Sequence, residues 1–349
     1  MSDLQKLLLK MPELGASDLH ISADMPVMIR INGILKPFTK EPMSPTATKT
    51  MIANLLTPEQ LKKFQTTRDL DFCYEIKNVG RYRTNILQQR KGFDAVFRFI
   101  PPKIPTKDEF RIPQKAYDLI DLHQGLVLVT GGTRSGKTST LASMIQYVNE
   151  TRKAHILTIE DPIEYVFPKA KSLVNQREIT KHTKSAANAL KAALRQDPDI
   201  IVIGEMRDLE TIQLAISASE TGHLVVSTLQ TQGAHKTIDR VVDSYPAGQA
   251  NQIRTMLSES LRGVISQQLI PKADGSGMVL AAEILLSNLS LANLIRDAKT
   301  FQIPSILQTG KALGMKNMAT ALQELVTEGL ITKDEMVKRL PKAEKRATE

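Results

Sequence analysis

The sequence predicts an α/β protein in which a smaller N-terminal α+β region precedes a larger region built on a mostly parallel sheet. Short strand-like runs fill residues 1–100, and Asn32-Gly33 between two of them is a strong hairpin signal. From residue 113 onward, apolar strand-like runs alternate with helical patterns, which is typical of a parallel sheet with helices on both faces. The proline-rich segment 101–112 is the predicted linker.

The first region, 1–100, mixes helical and strand-like segments. Its predicted helices are Leu4–Lys10, Thr46–Leu56 and Pro58–Phe64. Its predicted strands are Asp18–Ser22, Val27–Ile31, Ile34–Pro37, Asp69–Ile76, Arg81–Gln88 and Ala95–Ile100.

The second region, 113–286, contains the predicted sheet, and 287–349 is predicted to be helical up to residue 340 and to end in a basic tail. The predicted core strands are Leu126–Thr130, Ile156–Glu160, Ile200–Ile203, Leu224–Thr228 and Val279–Leu285. A helix ending near Pro271 is predicted from the helical spacing of Ile253, Leu257, Leu261, Val264 and Ile265.

A glycine-rich loop lies between a predicted strand and a predicted helix. Residues 131–138 read GGTRSGKT, which fits the pattern G-x-x-x-x-G-K-[ST]. Glycines let the backbone point its N–H groups at phosphate oxygens, and the helix N-terminus adds partial positive charge. In such a loop Lys137 reaches the β- and γ-phosphates and the Thr138 hydroxyl binds Mg²⁺. The predicted ATP-binding residues are Gly131, Gly132, Thr133, Arg134, Ser135, Gly136, Lys137, Thr138 and Ser139.

Two acidic clusters follow predicted strands, at the edge where a sheet of this kind binds ligands. The first, 158–164, reads TIEDPIE, and the second, 200–208, reads IIVIGEMRD. The first has two interpretations: Asp161 and Glu164 form a capping box for a helix, or a carboxylate takes part in hydrolysis. In the second, Glu205 suits Mg²⁺ coordination, directly or through water, and Asp208 is placed to cap the next helix.

Composition limits the partners and the environment. A net charge of +9 indicates either an anionic partner or simply solvated charges, but no Trp and 4% aromatic residues leave few stacking platforms for nucleic acid. Cys73 is the only cysteine, which excludes an intrachain disulfide and a cysteine-rich zinc site. No apolar run approaches the ~20 residues that span a bilayer, and no signal peptide is recognisable. We therefore expect a cytoplasmic protein with at most peripheral membrane contact.

The segments around these motifs resemble those of the type II/IV secretion ATPase superfamily. Residues 194–208 (LRQDPDIIVIGEMRD) are similar to its signature, 158–164 to its aspartate box, and 221–231 to its histidine box. Residues 15–21 (GASDLHI), 293–297 (NLIRD) and 302–310 (QIPSILQTG) resemble its pilus-retraction, or twitching-motility, branch. The resemblance covers essentially the whole chain apart from the tail.

The resemblance implies a PAS-like N-terminal domain, a RecA-like ATPase core and a homohexameric ring. It implies a motor ATPase that hydrolyses ATP to ADP and phosphate with Mg²⁺, and that powers pilus retraction through an inner-membrane platform protein. It also implies site roles. Glu164 becomes the general base, Glu205 supports Mg²⁺ and His223 is the first histidine of the histidine box. The arginines that it draws towards the γ-phosphate are Arg81, Arg83 and Arg98.

Three positions depart from the family pattern: Gly132 replaces a proline, Arg134 replaces a glycine, and Gln230 replaces the second histidine of the histidine box. Arg134 adds a cation beside the phosphates and either tightens binding or hinders the backbone. Gln230 can hydrogen-bond but cannot supply a proton, which affects coupling to a neighbouring subunit or the rate of hydrolysis. His235 either compensates in part or is a lone surface histidine.

Three alternative functions remain open at this point. Pilus-extension and type II secretion ATPases usually carry an extra N-terminal region and a four-cysteine zinc element, and one cysteine cannot supply the latter. A regulatory or scaffold ring subunit with weak hydrolysis is suggested by Gln230 and Arg134. A nucleic-acid translocase is disfavoured by the low aromatic content.

Overall fold

A computed structural model describes residues 2–340, which form two compact units. The first unit runs to Lys103 and includes Pro162–Val166, and the second contains Ile104–Asp161 and the described residues from Phe167 onward. The predicted basic tail beyond residue 340 lies outside the described residues. Within 2–340, no helix combines the length and the apolar character that crossing a bilayer requires.

The first unit is built on a six-stranded antiparallel sheet with strand order β3-β2-β1-β6-β5-β4. Asn32 and Gly33 have φ angles of +48° and +83°, and they form the predicted hairpin turn between β2 and β3. The elements are α1 (Asp3–Glu13), β1 (Ala16–Ile21), β2 (Met28–Ile31), β3 (Ile34–Pro37), α2 (Pro45–Ala53), α3 (Pro58–Thr67), β4 (Asp69–Ile76), β5 (Gly80–Gln89) and β6 (Gly92–Ile100).

The two faces of this antiparallel sheet differ because successive side chains along a strand point to opposite sides. Leu19 on β1 and Phe97 on β6 are paired and completely buried in the core of the unit. Their chain neighbours Asp18 and Arg98 are also paired, and Arg98 lies opposite Arg83 of β5. One face is therefore apolar, and the other carries a row of charged residues.

The second unit contains a seven-stranded sheet with order β13-β12-β7-β11-β10-β8-β9, parallel except for the antiparallel pair β12–β13. Its first elements are α4 (Lys107–Phe110), α5 (Gln114–Ile120), β7 (Gly125–Thr130), α6 (Lys137–Thr151), β8 (His155–Glu160), β9 (Leu173–Glu178), α7 (Ala186–Ala193), β10 (Ile200–Ile203), α8 (Leu209–Glu220) and β11 (Leu224–Leu229). These are followed by α9 (Ala234–Asp243), α10 (Ala250–Ser260), β12 (Leu261–Pro271), β13 (Met278–Leu286), α11 (Leu289–Arg296), α12 (Ile303–Thr309), α13 (Met318–Thr327) and α14 (Lys333–Arg339). Short 3₁₀ turns occur at Ala247–Gln249, Thr300–Gln302 and Gly310–Leu313.

Alternate residues of the central strands pack into two apolar clusters, one on each face of this sheet. Leu128 of β7 joins the cluster that contains α8, whereas its neighbour Val127 joins the cluster that contains α6. Every residue of β7, β10 and β11 is buried as a result. The predicted α/β class, with helices on both faces of a mostly parallel sheet, is confirmed.

The helix predicted to end near Pro271 is wrong in its second half. Helix α10 ends at Ser260, and Leu261–Pro271 is strand β12. Leu261 and Val264 fit helical spacing, but β12 pairs with β7 on one side and β13 on the other, so it is buried on both faces. A strand of this kind lacks the polar–apolar alternation that would identify it. Strand β9, at the edge of the sheet, was not predicted.

Glu283 of β13 joins the beginnings of two helices. Its carboxylate accepts the Ala234 N–H at 2.7 Å and the Met318 N–H at 3.3 Å, at the first residues of α9 and α13. The side chain is 8% exposed, so the two helix N-termini provide the hydrogen bonds that a buried carboxylate needs.

Candidate functional site

The glycine-rich loop connects the end of β7 to the start of α6, as predicted. A Cβ atom added to Gly131 would lie 2.3 Å from the Gln267 carbonyl oxygen and 2.5 Å from Ser135 Oγ. Gly136 has φ +84°, and a Cβ there would lie 2.7 Å from the Phe110 ring. Both positions therefore require glycine, because the loop folds tightly against its surroundings.

Lys137 is folded over the loop. Its Nζ donates to the carbonyl oxygens of Gly131 at 2.9 Å and Gly132 at 2.8 Å. Helix α6 begins at Lys137, and no side chain caps the N–H groups of its first turn. Thr138 is exposed in the first turn. This arrangement, with an ammonium group beside a helix N-terminus, is suited to bind phosphate.

Arg134 adopts a backbone conformation that favours glycine. Its φ is +64°, in the left-handed region, where a residue with a Cβ atom costs about 1 kcal/mol. Its side chain is exposed. The departure from the family's glycine at this position is thus accompanied by local strain in the loop.

The two acidic clusters follow neighbouring parallel strands, since Ile159 of β8 lies opposite Ile203 of β10. Arg207 bridges them: its Nε lies 2.7 Å from Glu205 Oε2 and its NH1 lies 3.3 Å from Asp161 Oδ2. Arg207 was not among the predicted site residues, although a cation inside an acidic segment was an available signal.

The capping predictions have opposite outcomes. Asp208 caps α8 as predicted, because its Oδ1 accepts the Thr211 N–H at 2.8 Å. The capping-box interpretation of Asp161 and Glu164 is wrong, because residues 161–168 contain neither helix nor strand. The Asp-Pro pair here occurs in an irregular segment, and the hydrolytic interpretation of the cluster is the one that stays open.

Glu164 and its neighbour Ile163 lie in the first unit, where each of them accepts a hydrogen bond from one of the predicted arginines. Arg83 NH1 donates to Glu164 Oε1 at 2.9 Å, and the Glu164 side chain is 14% exposed. Arg81 NH2 donates to the Ile163 carbonyl oxygen at 2.9 Å. Residues 163–164 are therefore held by side chains of β5.

Arg98 has a different partner from the other two arginines. Its Nε donates to Asp18 Oδ1 at 3.1 Å, and Arg30 Nε lies 3.9 Å from the other carboxylate oxygen. The Asp18 side chain is completely buried. Arg98 thus takes part in an ion pair that stabilises the sheet, and the structure does not bring it to Glu164.

His223 lies at the opposite end of β11 from the loop. It precedes Leu224, which pairs with Gly125 at the beginning of β7, whereas the loop follows Thr130 at the end of β7. Six strand residues at about 3.3 Å each separate the two edges by roughly 20 Å. Within one chain, the structure therefore does not bring His223 to the phosphate loop. The predicted strand 224–228 already contained this signal.

Gln230 follows the carboxyl end of β11, at the edge that carries the loop. Nearby, Gln232 Nε2 is 3.1 Å from the position that a Cβ on Gly132 would take. His235 is half-buried in the first turn of α9, where burial and the Lys236 charge lower its pKa. Its imidazole is consequently held in the neutral form near pH 7.

Oxygen donors suited to Mg²⁺ are available at Thr138 and Glu205. Across residues 2–340, no group of three or more His, Cys, Asp or Glu side chains is arranged to hold a metal ion by itself. A magnesium ion here would need ligands from outside the chain, such as phosphate oxygens and water.

Comparisons with known proteins agree on one family. The family described as "Type II/IV secretion system protein" matches residues 1–289. A twitching motility protein of Neisseria gonorrhoeae is 49% identical over 317 residues, covering 91% of this chain and 85% of the relative. A type IV pilus retractation ATPase of Pseudomonas aeruginosa, PilT, is 48% identical over 332 residues, covering 95% and 96%. This chain also aligns with a crystal structure of the pilus retraction motor PilT with bound ADP. The alignment covers 100% of each chain, with a TM-score of 0.86 and 42% sequence identity.

Proposed function

Because this chain belongs to the type II/IV secretion system protein family, we propose that it is a motor ATPase that hydrolyses ATP to ADP and phosphate and retracts type IV pili. The observation that carries the proposal is the strand–loop–helix phosphate site, with Lys137 held over the loop by two carbonyl groups. Relatives at 48–49% identity that are described as a twitching motility protein and a pilus ATPase support the motor role.

We assign phosphate binding to Gly131–Ser139. The loop and the first turn of α6 direct N–H groups at the phosphates, and Lys137 exchanges its contacts with Gly131 and Gly132 for phosphate oxygens. Since those carbonyl contacts hold the ammonium group beside the loop beforehand, little side-chain reorganisation accompanies binding.

We assign magnesium binding to the Thr138 hydroxyl and to Glu205, the latter directly or through water. When bound, the ion neutralises charge on the β- and γ-phosphates. The oxygen donors fit this ion, and the missing ligands are of the kind that a triphosphate and water supply. Arg207 holds the Glu205 carboxylate at 2.7 Å and so fixes its orientation.

We assign the general base to Glu164, which polarises the attacking water. Arg83 orients its carboxylate through the 2.9 Å ion pair, and Arg81 holds the adjacent Ile163 carbonyl. An arginine near the γ-phosphate would stabilise charge that develops on the transferred group. Arg81, Arg83 and Arg98 are the candidates from this chain.

The larger assembly is also a proposal. We infer a homohexamer with a PAS-like N-terminal domain over 1–100 and a RecA-like core over 113–286. The two are joined by 101–112 and followed by 287–349, a C-terminal helical region with a basic tail. It would act on an inner-membrane platform protein at the inner face of that membrane. The likeness to the solved PilT chain supports the subunit fold on which this assembly depends.

Steady-state hydrolysis by the full chain with Mg²⁺-ATP tests the proposal. We expect Lys137→Ala to abolish nucleotide binding and turnover, and Glu164→Gln to keep ADP binding while lowering turnover about 100-fold, the typical share of a general base. Lys153→Ala and Glu210→Gln, at exposed sites, are the matched controls. Negligible wild-type turnover with normal ADP binding would instead favour a regulatory ring subunit. In cells, deletion should abolish twitching while pili remain assembled.

A further inference from the structure

Gln267 occupies a buried position on β12, directly beside the phosphate loop. Its neighbour Ser266 pairs with Thr130, the last residue of β7 before the loop begins. Gln267 is completely buried. Ile265 and Leu269, two positions away on either side and on the same face of β12, are apolar, so an amide here requires a specific reason.

Gln267 contacts both arms of the loop. Its backbone carbonyl oxygen lies 2.3 Å from the position that a Cβ on Gly131 would take. Its side-chain Nε2 donates to the Ser135 carbonyl oxygen at 2.8 Å, across 132 residues of sequence. One residue of β12 therefore lies against the beginning of the loop and donates a hydrogen bond to the part of the loop that precedes α6.

The bond to Ser135 also determines the direction of an N–H group. A trans peptide is planar, and its C=O and N–H point in opposite directions. With the Ser135 oxygen held towards Gln267, the Gly136 N–H is directed away from β12. Gly136 immediately precedes Lys137 and the first turn of α6, where an anion is bound by N–H groups.

Two polar atoms at this place are buried without a hydrogen-bond partner, namely Ser135 Oγ and Gln267 Oε1. Full satisfaction of the buried polar groups therefore does not explain why Gln267 stands at this position. The contact that the amide does make is the one that turns the Ser135–Gly136 peptide.

We propose that Gln267 is a positioning residue for nucleotide binding, whose side-chain amide holds the Ser135–Gly136 peptide so that the Gly136 N–H faces the phosphates. The inference rests on the nucleotide site proposed above and extends it to a residue outside the loop. Gln267 itself acts only through the peptide that it orients.

Gln267→Met tests this, because methionine keeps the unbranched shape and removes the donor. We expect the affinity for ADP, measured by calorimetry on the full chain, to fall about tenfold, and KM for ATP to rise by a similar factor. kcat at saturating ATP should change less than twofold, because the contact aids ground state and transition state alike. Gln268→Met, the next residue on the same strand, is the control and should leave both constants unchanged.

Gln267→Glu adds a readout that packing alone would not change. An ionised carboxylate would repel the Ser135 oxygen, whereas a protonated carboxyl can donate to it. Burial raises the pKa of a carboxyl group, so lowering the pH from about 8 to about 6 should restore the donor. Relative to Gln267→Met at each pH, ADP binding by Gln267→Glu should therefore strengthen on acidification.

Thermal unfolding without nucleotide checks that each variant is folded. If Gln267→Met does not fold, Gln267→Glu carries the test, with the wild-type chain as its reference at each pH. Wild-type ADP affinity in both Gln267 variants, or an equal loss in Gln268→Met, would overturn this inference and leave the proposed function intact. Failure of the wild-type chain to bind ADP would overturn both.

Discussion

The two sheets of this chain place their charged residues in different ways. In the antiparallel sheet, Asp18, Arg98 and Arg83 form a row across strands on one face. In the mostly parallel sheet, the central strands are buried on both faces, so charged groups such as Glu205 follow the strands instead of lying on them. A sheet with one polar face can display side chains along its strands, whereas a sheet covered on both faces displays them only at its edge.

The difference has a practical consequence for assigning function. In a parallel sheet, whether a residue precedes or follows its strand tells at which edge of the sheet it lies. His223 precedes β11 and the loop follows β7, so the two lie at opposite edges. On an antiparallel face, register decides, and it places Arg83 and Arg98 side by side although their partners differ. Neighbouring arginines on the row can therefore have separate roles.

The largest effect should come from Arg98, in stability. Arg98→Ala would remove the 3.1 Å hydrogen bond between the Arg98 guanidinium and the fully buried Asp18 carboxylate, which also accepts from Ser17 Oγ at 2.7 Å and lies 3.9 Å from Arg30 Nε. We expect a loss of about 2 kcal/mol in the free energy of unfolding, because a buried carboxylate loses a charged hydrogen-bond donor. Calorimetric unfolding of the full chain measures this, with Arg90→Ala at an exposed turn as the control. An unchanged unfolding temperature would contradict a structural role for the pair.

Arg83 should show a smaller effect, and in turnover instead of stability. Arg83→Ala should lower kcat about tenfold, or about 1.4 kcal/mol, with a smaller change in ATP affinity, because orienting Glu164 matters most in the transition state. The double variant with Glu164→Gln should be no slower than Glu164→Gln alone. Additive losses would mean that Arg83 acts on the phosphate independently of Glu164.

The smallest effect should come from Arg134. Arg134→Gly should stabilise the nucleotide-free chain by up to about 1 kcal/mol, since glycine adopts the observed φ of +64° without a steric penalty. Thr133→Gly, at the neighbouring exposed position outside the left-handed region, should be neutral or slightly destabilising. Stabilisation by both changes would indicate a general effect of flexibility in the loop and not relief of strain.

The sequence predicted the parts of the site that depend on local chemistry. The loop at 131–138 combines a motif with a strand and a helix, and the strand prediction Leu126–Thr130 differs from β7 by one residue. Asp208 was recognised as a cap because capping is decided within four residues.

Long-range pairing accounts for what the sequence did not predict. Strand β12 owes its conformation to two neighbouring strands, so its apolar spacing was compatible with a helix. Gln267 was missed for the same reason, because its contact with Ser135 exists only once β12 lies beside β7. Arg207 meets Asp161 across 46 residues, a distance over which periodicity gives no information.

Glu283 carries a consequence for anyone who wishes to shorten this protein. Its carboxylate is shared by the starts of α9 and α13, which are separated by more than 80 positions in the chain. Removing α13 and α14 would deprive this buried carboxylate of the Met318 N–H, while the Ala234 N–H that it also accepts belongs to α9. A chain truncated in this way should therefore be less stable than the loss of packing area alone would indicate. A neutral side chain at position 283 would remove the cost of the buried charge.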